Sequence, residues 1–71
     1  MINHPLKTFR GSQKPRLSQK QLADLLGVSR TTVARWETGT RRIGGELLHT
    51  ISKQTGISKR KLRPDLAELI D

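Results

Sequence analysis

Residues 18–39 read SQKQLADLLGVSRTTVARWETG, and their punctuation leaves the chain little choice of fold. Two serine-led helix starts, Ser18 and Ser29, stand eleven residues apart with one glycine, Gly27, between them. Ser18 has Gln21 three residues on. That is the capping-box spacing, in which the hydroxyl takes one free N–H and the amide returns to the cap. Gly27 ends the helix where left-handed backbone meets no Cβ penalty. Ser29 caps the next helix, Arg30 to about Thr38, and Gly39 stops it. Leu22, Leu25 and Leu26 supply the buried face of the first helix, and Val33 and Trp36, three apart, that of the second. Val28 joins them from the turn. Ala23 lies where a bulky side chain would strike the following helix.

The rest of the chain also reads as helix. Ile2, Leu6 and Phe9 make a short amphipathic stripe over Ile2 to Arg10, with Pro5 tolerable only in the first turn and Gly11 as the stop. Gly11 to Arg16 and Arg41 to Gly45 are loops. A further helix runs from about Glu46 to Thr55, burying Leu47, Leu48 and Ile51 and ending at Gly56. Ser58 caps a short turn carrying Leu62, Pro64 interrupts, and Leu66, Leu69 and Ile70 form a last apolar stripe. No strand alternation occurs. The expected fold is all-α, four to five helices in a single domain over 1–71, with its core motif at 18–39 and an acidic tail at 65–71.

Composition narrows the chemistry. The 71 residues carry a net charge of +8. Asp65, Glu68 and Asp71 leave the last seven residues at −3, so the preceding 64 hold +11. Bases gather at Lys14, Arg16 and Lys20, at Arg30, Arg35, Arg41 and Arg42, and at Lys59, Arg60, Lys61 and Arg63. Such a balance favours a polyanionic partner. The acidic tail has three readings: repelling non-specific DNA, pairing with the basic surface, or solubilising the end. The absence of cysteine excludes disulfides, thiol nucleophiles and Cys-based zinc sites. His4 and His49 are far apart with no second ligand at metal spacing, and no phosphate loop or catalytic triad is arranged, so neither enzyme nor cofactor is expected. No apolar run reaches ten residues, which points to a cytoplasmic domain.

Two capped helices across a three-residue turn form a helix-turn-helix, whose second helix is the one that reads DNA. Val33 and Trp36 turn inward and leave Arg30, Thr31 and Arg35 on the opposite side, flanked by Thr32 and Thr38. Arginine can pair bidentately with guanine O6 and N7, and threonine can meet a thymine methyl or either base edge.

These residues resemble the lambda-repressor-like family of DNA-binding regulators (Cro/cI or XRE type). The likeness covers about residues 6–66 and is densest at 17–39. It implies base-edge contacts from Arg30, Thr31 and Arg35, and a backbone or thymine-methyl contact from Thr32. It implies phosphate contacts from Gln19, Ser29, Thr38, Thr40, Arg41 and Arg42, and a pairing of Glu37 with an arginine of the first helix, here Arg10. Leu62-Arg63-Pro64-Asp65 is similar to the close of short Cro-like regulators, including an antitoxin-type group. The chain departs from the family in a longer loop containing Pro15 and in Gly44-Gly45, which weakens the cap of the fourth helix. The leading expectation is a repressor that binds a pseudo-palindromic duplex operator as a homodimer. The alternative is an antitoxin-type regulator whose tail binds a toxin-type protein.

Overall fold

A computed structural model of the chain describes residues 4–66. Five α-helices run in order: α1 (Pro5–Ser12), α2 (Gln19–Leu26), α3 (Arg30–Thr38), α4 (Gly45–Thr55) and α5 (Lys59–Leu62), followed by a 3-10 turn, Pro64–Leu66. The fold is all-α and contains no strand among the described residues.

Each boundary has a local cause. At Ser18 the capping box is complete: the hydroxyl accepts from Gln21 N–H at 3.0 Å, and Gln21 Oε1 accepts from Ser18 N–H at 2.8 Å. Ser29 and Ser58 cap α3 and α5 without the return bond, each hydroxyl accepting the N–H three residues on. Gly27 ends α2 at φ 75°, ψ 28°, which turns the chain sharply enough for α3 to begin three residues later. Across that turn α2 and α3 pack on each other more extensively than any other pair of elements. Ala23, only 1% exposed, sits at their crossing and lets them approach.

The core joins all five helices. Leu6, Leu22, Val33, Ile43 and Ile51 are essentially sealed, and Ala23, Leu26, Trp36, Leu48 and Leu62 complete it. Phe9, Val28, Leu47 and Ile57 pack half-buried around it.

Three expectations change. Leu25 is 45% exposed and does not belong to the buried face. On the eight-residue α2 the buried side chains are Leu22, Ala23 and Leu26. The first helix runs Pro5–Ser12 rather than from Ile2 to Arg10, passing through Gly11 without stopping. Its start is set by His4, whose Nδ1 accepts from Leu6 N–H at 3.1 Å, with Pro5 as first helical residue, a position that needs no N–H. Its end is held by Ser12 Oγ and Gln13 N–H, which donate to the Phe9 and Arg10 carbonyls. Ile2 lies outside the described residues. Finally, Ile43 belongs to the core although it stands in the loop between α3 and α4: it is 1% exposed. Gly45 is the first residue of α4 and Gly44 its cap, with no side chain to close the cap. Leu69, Ile70 and the acids Glu68 and Asp71 lie outside the described residues.

Candidate nucleic-acid interface

One ion pair beneath the surface sets the geometry of the site. Arg10 on α1 forks onto Glu37 on α3, Nε to Oε2 and Nη2 to Oε1, each at 2.7 Å. The two side chains are 11% and 5% exposed. Arg10 Nη1 also donates to the Leu17 carbonyl at 3.1 Å, so the guanidinium stitches the 13–18 loop to both helices. The longer loop with Pro15 therefore does not disturb the register of Arg10. Nor is the pair a weak surface contact, as it would be if Glu37 were solvated. Burial alone would raise the Glu37 carboxyl. The Arg10 and Gln19 hydrogen bonds, with the charges of Arg10 and His4, outweigh it and hold the group below the ordinary glutamate value. The same hydrogen bond raises Arg10 against a smaller opposing effect of burial.

Gln19 opens α2 beside this pair. Its Nε2 donates to Glu37 Oε1 at 3.2 Å. A carboxylate can only accept, so Glu37 dictates which end of the amide faces inward. The second hydrogen on Nε2 is left for an outside acceptor.

The outward face of α3 follows from helical period. Thr31, Arg35 and Thr38 stand at i, i+4 and i+7, opposite Val33 and Trp36, and all three are exposed; Arg30, at the first turn, is exposed too. Thr32 is half-buried and its hydroxyl is 2.9 Å from that of Ser29, which also accepts Thr32 N–H. Both hydroxyls are thus engaged in the cap, and Thr32 is left its methyl. Thr38 Oγ1 donates to the Arg35 carbonyl at 3.3 Å and lies 2.9 Å from Thr40 Oγ1. Arg30, Arg35 and Arg41 extend without a side-chain partner among the described residues. Trp36, at 3% exposure, is core and cannot stack on a base.

Past α3, Gly39 turns left-handed at φ 82° and Arg41 N–H returns to the Arg35 carbonyl at 3.2 Å. Gln19 is thereby tied to the last turn of α3 through Glu37, and residues 38–41 are folded back onto that turn through Arg35. A cationic surface of this kind is suited to a duplex groove and its bordering phosphates.

The helix-turn-helix family model matches residues 6–62. The chain belongs to that family. As a helix-turn-helix protein of the XRE type it is a DNA-binding transcription regulator. No curated protein and no solved structure matches it. The family match ends at Leu62, one residue short of a cluster that composition had left open among three readings of the acidic tail. In that cluster Asp65 pairs with the basic surface, accepting from both Arg63 and Arg42. Its trace in the sequence is the Leu62-Arg63-Pro64-Asp65 run, whereas nothing local marks Arg42, 23 positions away, as the further partner. The capping role of His4 was likewise missed, because histidine is not among the usual capping residues. His49 is an exposed helix residue.

Proposed function

We propose that this regulator binds duplex DNA sequence-specifically, laying α3 in the major groove, and acts as a Cro-like repressor. The observation that carries the reading is the exposed, unpaired row of Arg30, Thr31 and Arg35 on a helix whose other side is sealed in the core. Arg30 and Arg35 offer forked donors to guanine edges, Thr31 a hydroxyl and methyl, and Thr32 its methyl. Gln19 directs a remaining N–H outward. Arg41 and Arg42 add charge beside it, and the Ser29, Thr38 and Thr40 hydroxyls can turn from their internal partners to donate to phosphate oxygens. The whole chain acts as one DNA-binding domain, centred on residues 18–39, in the cytoplasm. Two copies on a pseudo-palindrome would place half-sites about 34 Å apart. The apolar stripe that a toxin-type partner would take includes Leu69 and Ile70, which lie outside the described residues.

Selection of bound sites from a random duplex pool at about 150 mM salt tests this, because binding weakens by about 0.9 in log–log slope per neutralised phosphate. A two-fold-related consensus is expected. Arg35→Ala should relax preference at one position at a cost of about 1–3 kcal/mol, whereas Arg41→Ala should weaken all sequences alike. A pool that stays random while binding still falls with salt would overturn sequence-specific readout. An unchanged preference in Arg35→Ala would overturn the assigned face.

A further inference from the structure

Arg63 follows α5, and its side chain is 15% exposed, unusually covered for a cation of this basic chain. Its Nη1 donates to the Ile43 carbonyl, in the segment that follows α3. Its other face forks onto Asp65, Nε to Oδ1 at 2.9 Å and Nη2 to Oδ2 at 2.7 Å. Asp65 Oδ2 then accepts from Arg42 Nη1 at 3.2 Å. The end of the described chain thus reaches back 23 positions and grips the segment after α3 at both a carbonyl and a side chain.

We propose that Asp65, held by Arg63, is a positioning residue for DNA binding that orients Arg42 toward the duplex backbone; this rests on the reading of Arg42 as a phosphate contact. A carboxylate beside a phosphate-binding arginine either competes for it or aims it, and the bond pattern decides for aiming. Arg63 meets Asp65 with two short bonds from a covered position, so the acid is already neutralised. Arg42 lends it one longer bond and is 73% exposed. Of the five N–H donors on a guanidinium, four therefore stay available for phosphate oxygens. The backbone beneath Arg42 is fixed as well, because the next residue, Ile43, is sealed in the core and its carbonyl is held by Arg63. A long side chain restrained before binding loses less freedom on meeting DNA. The hydrogen bond from Arg63 holds the Asp65 carboxyl at about 2, so the aiming charge persists through any pH at which DNA would be bound.

The test uses the full chain and a random-sequence duplex of about 20 base pairs, with affinity read by fluorescence anisotropy and folding by thermal melts. Asp65→Asn makes the protein more cationic, which by itself strengthens DNA binding. The expected result is the opposite sign: a loss of about threefold to tenfold, the range for losing one pre-ordered long side chain. Arg63→Lys keeps the charge and removes the fork, and should weaken binding by a similar factor. In an Arg42→Ala background, Asp65→Asn should change affinity by less than about twofold, since the partner it aims is gone. A merely structural role would instead cost the same in both backgrounds. Equal or tighter binding by Asp65→Asn, or an equal loss in both backgrounds, overturns the proposal while Arg42→Ala still weakens binding. If Arg42→Ala itself binds like the parent chain, the phosphate reading of Arg42 fails, and the proposal falls with it.

Discussion

Replacing Glu37 with glutamine tests the central feature of the fold. The substitution keeps size and one acceptor but presents an NH2 to the Arg10 fork and removes the negative charge. Exposed ion pairs are worth about 0–1 kcal/mol, whereas removing one partner of a buried pair costs about 3–5 kcal/mol. With side chains 11% and 5% exposed, the Arg10–Glu37 pair stands near the buried limit. Arg10 retains the Leu17 carbonyl, which softens the loss to about 2–4 kcal/mol. A chain of this length holds about 4–10 kcal/mol in all. Glu37→Gln should therefore melt about 8–32 °C lower, at about 4–8 °C per kcal/mol for a domain this small. Thermal and urea melts at neutral pH followed by circular dichroism measure it. The paired change Arg10→Met with Glu37→Leu should recover much of the loss, because apolar replacement of a buried pair is often neutral. Acid supplies a second axis. The folded Glu37 carboxyl lies below its ordinary value, so its stabilisation is complete above about pH 4.3 and is lost as pH falls through the folded value. The gap between the parent chain and Glu37→Gln should thus narrow in acid. A melt within about 5 °C of the parent at neutral pH would refute the reasoning and make the pair an ordinary surface contact.

Other perturbations probe the remaining joints. His4 caps α1 through an unprotonated Nδ1, and burial, opposed by the Glu37 charge, lowers its pKa. Its stabilisation is complete above about pH 6.5 and is lost as pH falls through the folded value; His4→Asn, which caps without titrating, should remove that part of the melting-temperature slope. Leu22→Ala should cost about 2–5 kcal/mol in urea melts, whereas Leu25→Lys should stay within about 0.5 kcal/mol, a contrast that checks which side of α2 is buried. Gly44 caps α4 at φ −64°, ψ 147° with no side-chain bond, and an added Cβ meets only the flexible end of Glu46. Gly44→Ser should therefore raise stability by about 0.5–1 kcal/mol in the same melts.

Local signals carried most of the architecture because they are strong and close in sequence. Ser18 with Gln21, Ser29 before Arg30, and the glycines at 27, 39 and 56 each solve a backbone problem within a few residues. What escaped was settled at long range. Leu25 has the same composition and nearly the same phase as Leu22 and Leu26, and only the position of α3 decides that it faces out. Ile43 stands among arginines and glycines with no periodic neighbours, so nothing local marks it as core. Of the candidate DNA contacts, the exposed row of α3 was legible from period alone. The engagement of the Thr32, Thr38 and Gln19 side chains was not, since each depends on a partner's exact placement.

In a chain of 71 residues the groups that stabilise the fold and those that face DNA cannot be separate layers. Glu37 illustrates the consequence. One carboxylate accepts the Arg10 fork that joins α1 to α3, and its Oε1 also accepts from Gln19 at the start of α2. An amide facing a carboxylate has only one satisfactory orientation, nitrogen inward, and an amide facing another amide has two. Glu37→Gln at a temperature where the protein remains folded should therefore weaken binding to random-sequence duplex as well, by releasing the proposed Gln19 phosphate contact from its single orientation. A folded Glu37→Gln that binds as tightly as the parent would mean that the amide's orientation is set elsewhere, and that the buried pair serves the fold alone.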